Sequence, residues 1–213
     1  MAKGLIILGT RMLAEEMFDL ISEIKDYEVA AFVENMDRSL VGTEIEGRPV
    51  VWIDDAVKYA RTHAAICALS TTHRRKYVEQ AEGLGLKLAT VVHPLARVSS
   101  RATLAPGCFV SAMCIVSTKT KLGKSVFMNR AATVGHHTTI GDYCTIQPGA
   151  TVAGAIQLGE DTYVGMRATV IERLKIGRGA VIAAGAVVVE DVPERVMVMG
   201  VPAKVVKRDI EAK

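Results

Sequence analysis

Two adjacent histidines, His136 and His137, are the residues of this chain with the clearest chemical potential. A neutral imidazole accepts a proton near pH 7, so it can act as the base for an amine or a hydroxyl that attacks a carbonyl carbon. This chemistry suits acyl transfer. No serine or cysteine nucleophile with an adjacent base is visible near His136, and direct attack of the acceptor on a bound thioester is therefore simpler than a covalent acyl-enzyme.

A six-residue repeat determines where these histidines stand. An aliphatic residue occurs at every sixth position, sixteen times in succession, and a small or slim residue follows four positions later in 14 of the 16 cases. The aliphatic positions are Val98, Leu104, Val110, Val116, Leu122, Met128, Val134, Ile140, Ile146, Val152, Leu158, Val164, Val170, Ile176, Ile182 and Val188. Such hexads are typical of a parallel β-helix. Three hexads, or 18 residues, would form one triangular coil.

Stacking of these coils predicts the neighbours of His136. Residues 18 apart lie above one another, which gives a column of Ser100, Thr118, His136, Gly154, Glu172 and Glu190. The third position of each hexad is an outward-facing corner, so His136 is not a core residue. Because Gly154 has no side chain, we expect an open notch beside the imidazole in which a slender ligand could lie. The alternative is that both histidines are ordinary solvated corner residues.

The first ninety residues are organised differently, with short apolar runs that alternate with amphipathic stretches. This pattern predicts strands at 4–9, 28–33, 64–69 and 86–92, and helices at 11–24, near 54–61 and at 72–82. Alternating strands and helices favour a mostly parallel α/β sheet of the Rossmann-like type. We therefore divide the chain into a Rossmann-like domain, residues 1–94, and a β-helix, residues 95–213, and expect the two ends of the β-helix to be covered by the N-terminal domain and by the segment after Pro193.

Composition argues against several other classes of protein. The 213 residues are 50% hydrophobic and 5% aromatic, which excludes a disordered chain and predicts an aliphatic core. The net charge of +3 is too small to indicate nucleic-acid binding. The apolar run Leu5–Leu8 is too short for a signal peptide or a membrane span, so we expect a cytoplasmic protein without membrane contact. Cys108, Cys114 and Cys144 occupy small positions of hexads, and we expect free thiols that pack in the core.

Several segments together carry a family resemblance. They are Val134-Gly135-His136-His137 followed by Ile140-Gly141, the run from Ile182 to Pro193, the closing Gly200–Lys204 and the junction Val92-His93-Pro94. With the N-terminal α/β pattern, the chain resembles the NeuD/PglD-type bacterial sugar acetyltransferases of the left-handed β-helix superfamily. The resemblance covers nearly the whole chain.

That resemblance implies a fold, a reaction and a donor site. Members are homotrimers that transfer an acetyl group from acetyl-CoA to an amine or hydroxyl of a sugar, often a nucleotide-linked amino sugar of surface polysaccharide or glycan pathways. CoA lies in the groove between two neighbouring left-handed β-helices, and no metal is expected. The resemblance gives an acceptor-binding role to the N-terminal domain and acyl-CoA binding and catalysis to the β-helix. His136 matches the general base, and we keep His137 as a second catalytic candidate. The expected CoA-binding residues are Gly154, Met166, Ala184, Lys204, Lys207 and Arg208, the last three as cations near the phosphates or as an ordinary basic tail.

The acceptor half of the site departs from the family pattern. The expected acceptor-binding residues are Gly9, Thr10, Glu34 and Asn129. The family's glycine-rich first turn reads Gly9-Thr10-Arg11-Met12-Leu13-Ala14 here, and Glu34 stands where a pair of acidic residues is common. Gly135 precedes the base where an acidic residue is usual, and Thr145 aligns with a second histidine of some members.

Two other readings remain. A γ-type carbonic anhydrase shares the β-helix but needs three histidine ligands for zinc, and His63, His73 and His93 all precede the first hexad. A trimer that binds CoA or a nucleotide without turnover would explain the missing acidic partner of His136.

Overall fold

The N-terminal part of the protein is a six-stranded sheet with helices on both faces. The computed structural model describes residues 2–71 and 74–211. The elements are β1 (Lys3–Leu8), α1 (Met12–Ser22), β2 (Tyr27–Glu34), a 3-10 helix (Arg38–Leu40), β3 (Glu44–Ile45), β4 (Arg48–Trp52), a second 3-10 helix (Ile53–Tyr59), β5 (His63–Cys67), α2 (Arg74–Gly83) and β6 (Lys87–Leu88). The strand order is β3-β4-β2-β1-β5-β6, with β3 antiparallel to β4 and the other pairings parallel.

Alternation along β1 explains the two layers of helices. Leu5 and Ile7 pack in the cluster that contains α1, and Ile6 and Leu8 pack in the cluster that contains α2. Successive side chains of a strand point to opposite faces, so four buried residues in a row require cover on both sides. The uninterrupted apolar run is therefore the signal of a central parallel strand.

Most of the predicted elements of this half are present, with two differences. The helix expected at 11–24 is α1, whereas the one expected near 54–61 is the second 3-10 helix. The helix predicted at 72–82 corresponds to α2, and its first two residues, Thr72 and His73, lie outside the described residues. The single strand predicted at 86–92 is wrong. Its residues divide between β6 in the N-terminal sheet and a short strand that opens the β-helix.

The rest of the chain forms three parallel sheets of very short strands. The strands are β7 (Val91–Val92), β8 (Arg97–Val98), β9 (Thr103–Leu104), β10 (Phe109–Val110), β11 (Ile115–Val116), β12 (Lys121–Leu122), β13 (Phe127–Met128), β14 (Thr133–Val134), β15 (Thr139–Ile140), β16 (Thr145–Ile146), β17 (Thr151–Val152), β18 (Gln157–Leu158), β19 (Tyr163–Val164), β20 (Thr169–Val170), β21 (Lys175–Ile176), β22 (Val181–Ile182), β23 (Val187–Val188), β24 (Met197–Gly200) and β25 (Ala203–Lys207). Sheet 1 has the order β25-β24-β22-β19-β16-β13-β10-β7, sheet 2 the order β23-β20-β17-β14-β11-β8, and sheet 3 the order β21-β18-β15-β12-β9. Val134 pairs with Val116 and Val152, so the predicted 18-residue coil is confirmed.

The three sheets enclose a triangular prism, and its interior contains the residues that the hexads predict. The repeated aliphatic residues and the small residues four positions later form one buried cluster, which includes Cys108, Cys114 and Cys144. Cys67 is buried in the N-terminal part. Burial raises the pKa of Cys67 and Cys144 to about 12 and that of Cys108 and Cys114 to about 11. The thiols therefore pack as small apolar groups.

The N-terminal part packs against the side of the β-helix, on the outer face of sheet 1. Phe109 and Phe127 point outward from this sheet, stack with ring centroids 5.3 Å apart, and join the cluster of α1 and β1. This domain was expected to cover one end of the β-helix. Its contact with the side of the β-helix was not predicted, because outward-facing hexad positions were taken to be solvated.

Arg74 links the N-terminal part to the β-helix through hydrogen bonds. Its side chain is fully buried. Nε donates to the Ser125 carbonyl at 2.8 Å, Nη2 donates to the Tyr143 carbonyl at 2.7 Å, and Nη1 donates to Thr145 Oγ1 at 2.7 Å. Burial lowers the pKa of Arg74 to about 10. A guanidinium with several donors in a fixed plane can satisfy carbonyls of successive coils at once, which a lysine cannot.

At the other end, the segment after Pro193, which was expected to cover the end of the β-helix, continues sheet 1. Strand β24 pairs in parallel with β22 and then turns back into β25 as an antiparallel hairpin. The hairpin ends the hexad repeat and carries the C-terminal basic residues.

Candidate active site

His136 and His137 lie at the corner between sheets 2 and 3, with both side chains exposed. Their Nδ1 atoms are 3.1 Å apart, and the rings meet edge to face with centroids 5.2 Å apart. Neighbouring coils hold both backbones, because the His137 N–H donates to the Thr118 carbonyl at 3.0 Å and the His136 carbonyl accepts from the Ala155 N–H at 2.8 Å. The pair is therefore positioned by the stacked coils.

Gly154 is the residue over which the His136 ring lies. A Cβ atom on Gly154 would stand 2.8 Å from Cε1 and from Nε2 of His136. The notch that the sequence predicted is thus filled by the imidazole itself. Any side chain at this position would displace the ring.

Gly135, where the family usually has an acidic residue, has no room for a side chain. A Cβ atom there would lie 2.5 Å from the Ala153 carbonyl carbon and 2.6 Å from the Gly154 nitrogen. The close approach of two backbones requires glycine. An acidic side chain therefore cannot be accommodated immediately before His136.

A groove of about 550 Å³ opens beside His136 toward the first coils, on the outside of sheet 2. Its polar lining comprises the guanidinium of Arg97 and a set of hydroxyls, from Ser99, Ser100, Ser117 and Thr118. On the opposite side of His136 the equivalent corner holds Gly154, preceded by Ala153. The imidazole therefore separates a polar, hydroxyl-lined side from a side with little side-chain bulk.

A second groove, of about 740 Å³, lies on sheet 3 and does not include His136. Lys175 and Arg178 contribute cations to it, and Asp191 and Glu194 contribute carboxylates. Its volume alone does not make it the reaction site.

Met166 and Ala184, two of the residues predicted to bind CoA, lie at a second corner, between sheets 1 and 2. Met166 follows β19 and Ala184 follows β22, and the Met166 side chain is 55% exposed. Asn129 follows β13 at the same corner and is buried. It donates to Gln147 Oε1 at 3.3 Å, and Gln147 approaches the Ser70 carbonyl at 3.5 Å. Within one chain, His136 and this second corner occupy different edges of the prism.

The predicted acceptor residues Gly9, Thr10 and Glu34 lie together at the carboxyl ends of β1 and β2. Thr10 donates to Glu34 Oε2, and Oε1 accepts the backbone N–H groups of Asn35, Met36 and Asp37 at 2.9, 2.7 and 3.1 Å. Burial raises the pKa of Glu34, but these hydrogen bonds outweigh it and hold the pKa below the ordinary glutamate value. Glu34 therefore shapes the turn after β2. Gly9 has φ of +122°, a backbone conformation that favours glycine.

The C-terminal basic residues are exposed on or next to β25. Lys204 Nζ lies 3.3 Å from Glu190 Oε1, and Glu190 belongs to the column of His136, three coils further on. At roughly 4.8 Å per coil this is about 14 Å along the prism. Lys204 thus marks the far end of the edge that carries the histidines. Lys207 and Arg208 extend the positive charge.

Sequence reasoning missed Arg74, Arg97 and Gln147. Arg97 and Gln147 occupy outward hexad positions, where residue type alone does not separate solvated side chains from functional ones. The repetition of hydroxyls at Ser99 and Ser117, 18 residues apart, was a usable signal for the groove.

Comparison with known proteins gives matches over almost the entire chain. The family model of the bacterial transferase hexapeptide (six repeats) matches residues 155–189. PerB from Caulobacter crescentus, solved with CoA and GDP-perosamine, is 30% identical with a TM-score of 0.87, and the match covers 96% of this chain and 97% of that one. This chain belongs to the hexapeptide-repeat sugar acetyltransferases.

Two further structures of this family agree. The acetyltransferase domain of PglB from Neisseria gonorrhoeae FA1090, in complex with acetyl coenzyme A, is 29% identical over 97% of this chain and all of that chain, with a TM-score of 0.88. WeeI from Acinetobacter baumannii AYE is 27% identical over 96% of this chain and all of that one, with a TM-score of 0.86. A search of the curated proteins finds no match. The hexads and three sheets of this acetyltransferase are consistent with the left-handed β-helix.

Among residues 2–71 and 74–211, no group of three or more histidine, cysteine, aspartate or glutamate side chains is arranged to hold a metal ion. In the same ranges, none of the helices combines the length and hydrophobicity needed to cross a bilayer.

Proposed function

We propose that this acetyltransferase transfers the acetyl group of acetyl-CoA to an amine or hydroxyl of a nucleotide-linked sugar, with His136 as general base. The observation that carries the proposal is the exposed imidazole held over Gly154, at the boundary between a hydroxyl-lined groove and a glycine-containing edge. Two structures of the perosamine N-acetyltransferase from Caulobacter crescentus, in complex with CoA and GDP-perosamine, are variants in which one histidine is replaced by asparagine or by alanine. This choice of variants supports attention to a histidine in the proposed site.

In the proposed reaction, Nε2 of His136 takes the proton of the acceptor as its nitrogen or oxygen attacks the thioester carbonyl carbon. The new N–C or O–C bond forms and the C–S bond breaks. His136 then returns the proton to the departing CoA thiolate. In this direct transfer no residue of the chain is acylated, because the acceptor itself attacks the thioester.

The two sides of His136 suit two different substrates. A sugar presents many hydroxyls, and the groove with Arg97, Ser99 and Ser117 offers donors and acceptors to match them. The pantetheine arm of CoA is slender, and Ala153 and Gly154 leave little side-chain bulk on the side beyond the His136 ring. Lys204 lies near the far end of that edge, where the CoA phosphates need cations.

A second copy of the chain completes the proposed site. Met166 and Ala184 were expected to line the pantetheine groove together with Gly154, yet they lie on a different edge of the prism. In a homotrimer, the histidine edge of one protomer can face the second corner of its neighbour. This arrangement would also bring Asn129 of one protomer near His136 of another.

We further propose that residues 1–94 bind the nucleotide part of the acceptor and residues 95–213 bind acetyl-CoA and catalyse the transfer. The carboxyl ends of parallel strands are the usual ligand-binding edge of such sheets, and Gly9 and Thr10 lie there. Because Thr10 and Glu34 bind each other, backbone groups of this edge are better candidates for nucleotide contacts than the Glu34 carboxylate.

The test is a turnover screen with acetyl-CoA and a panel of nucleotide-linked amino and hydroxy sugars. Release of CoA thiol, with a gain of one acetyl group on the sugar by mass spectrometry, would support the proposal. Thermal stabilisation by acetyl-CoA without turnover on the panel would support the non-catalytic alternative.

A further inference from the structure

The Nδ1 atoms of His136 and His137 lie within hydrogen-bonding distance, 3.1 Å apart. We propose that His137 is a positioning residue, whose Nδ1 accepts the Nδ1–H of His136 and so leaves Nε2 of His136 unprotonated. The inference rests on the proposed function, in which His136 is the base.

Proton accounting supports this direction. Two Nδ1 atoms 3.1 Å apart attract each other only when one of them carries hydrogen and the other a lone pair. If His137 donated instead, the hydrogen of neutral His136 would be on Nε2, and that nitrogen could not accept a proton. Only the arrangement with His137 as acceptor gives a base whose Nε2 is free, on the ring edge that lies over Gly154.

No other side chain on this edge competes for the role. Lys119 lies one coil before His137, and Glu172 and Arg173 lie two coils after the pair, so that Glu172 is roughly 10 Å from His136 by coil spacing. Arg97 shares the groove with His136 but has no lone pair to offer. Across the described part of the chain, the carboxylate that contacts a histidine is that of Glu23, at 3.1 Å from His93 Nε2, and no carboxylate oxygen lies within 4.0 Å of His136 or His137.

The geometry does not depend on a mobile loop. His137 has φ of +57°, the left-handed corner conformation that recurs every six residues along the β-helix, as at Met113 with φ of +60°. The corner points the His137 ring back at His136. An uncharged imidazole acceptor can therefore orient the base through a single hydrogen bond.

The test is a series of substitutions at position 137, read as pH profiles of kcat/KM. His137→Leu should lower kcat about 10-fold, the value of one hydrogen bond, and move the acidic limb to lower pH. His137→Gln keeps an acceptor oxygen and should retain most of the rate. His137→Glu supplies a negative charge and should move the limb up by about one pH unit. Identical acidic limbs in all three variants would overturn the proposal.

Matched controls separate this effect from a change of corner structure. Arg195→Leu and Arg195→Glu make the same replacements at an exposed residue with φ of +53°, outside both the histidine edge and the second corner, and Glu172→Gln removes the carboxylate of the histidine edge; all three should leave the limb where it is. Long-range ¹H–¹⁵N spectra of the wild-type protein should show His136 protonated at Nδ1, and protonation at Nε2 would overturn the inference. If His136→Ala kept full activity, the proposed function itself would fail, independently of these results.

Discussion

Replacing Gly154 by alanine tests whether the position of the His136 ring matters for catalysis. The new Cβ would stand 2.8 Å from Cε1 and Nε2, whereas ordinary van der Waals contacts begin at 3.4 Å, so the ring must retreat by about 0.6 Å. Displacement of a catalytic group by such a distance costs roughly 10- to 100-fold in rate. We expect kcat for acetyl transfer to fall by that factor.

The stability of this variant should not fall. The atoms that the new methyl group meets belong to an exposed side chain, which can move, and Gly154 does not have a positive φ. A glycine-to-alanine change at a compatible backbone position is neutral or stabilising by about 0.4–1 kcal/mol. Gly135→Ala is the contrasting control, because its Cβ would meet backbone atoms of the next coil at 2.5 Å and should lower the melting temperature. Unchanged kcat in Gly154→Ala, or a loss of stability equal to that of Gly135→Ala, would refute the reasoning.

Four further predictions follow from the structure. Arg74→Met should destabilise the protein by about 3 kcal/mol or more in urea unfolding, and Arg74→Lys should not restore it, since several buried carbonyls lose their donors. Because folding lowers the pKa of Glu34, its carboxylate stabilises the protein above the ordinary pKa of 4.5, and this stabilisation is lost as the pH falls through the pKa of the folded state. In thermal melts, the melting temperature of the wild type should therefore fall on acidification by more than that of Glu34→Gln. Arg97→Ala should raise KM for the sugar about 10-fold and leave KM for acetyl-CoA unchanged, and the reverse pattern would place the sugar elsewhere. The four buried cysteines should resist a thiol reagent at pH 8 until the protein unfolds, which also keeps thiol-release assays free of background.

The β-helix was predictable because its interior accepts so few residue types. One aliphatic residue such as Val134 and one small residue such as Thr138 fill each hexad, so the period of six is visible in the sequence alone. The corner position of His136 followed from the same period. By contrast, the side-on packing of the N-terminal part depends on Phe109 and Phe127, which occupy outward positions that the repeat leaves free.

The details of the site were less accessible from sequence. The direct contact between His136 and His137, and the lack of room at Gly135, both depend on how tightly successive coils approach. Spacing along the chain gives the order of the residues in a column but not the rotamers of neighbouring rings. The hydrogen bonds of Glu34 to Thr10 and to a backbone turn likewise depend on the local fold, which a single acidic residue in the sequence does not predict.

The role of His136 as the base of a direct acetyl transfer can be measured in the variant His136→Ala. The quantity to measure is its single-turnover rate with acetyl-CoA and the sugar that the wild-type protein acetylates. General-base catalysis contributes about 10²- to 10⁴-fold, so the rate should fall by at least 100-fold while the affinity for acetyl-CoA stays the same. A variant that transfers acetyl at the wild-type rate would contradict the account.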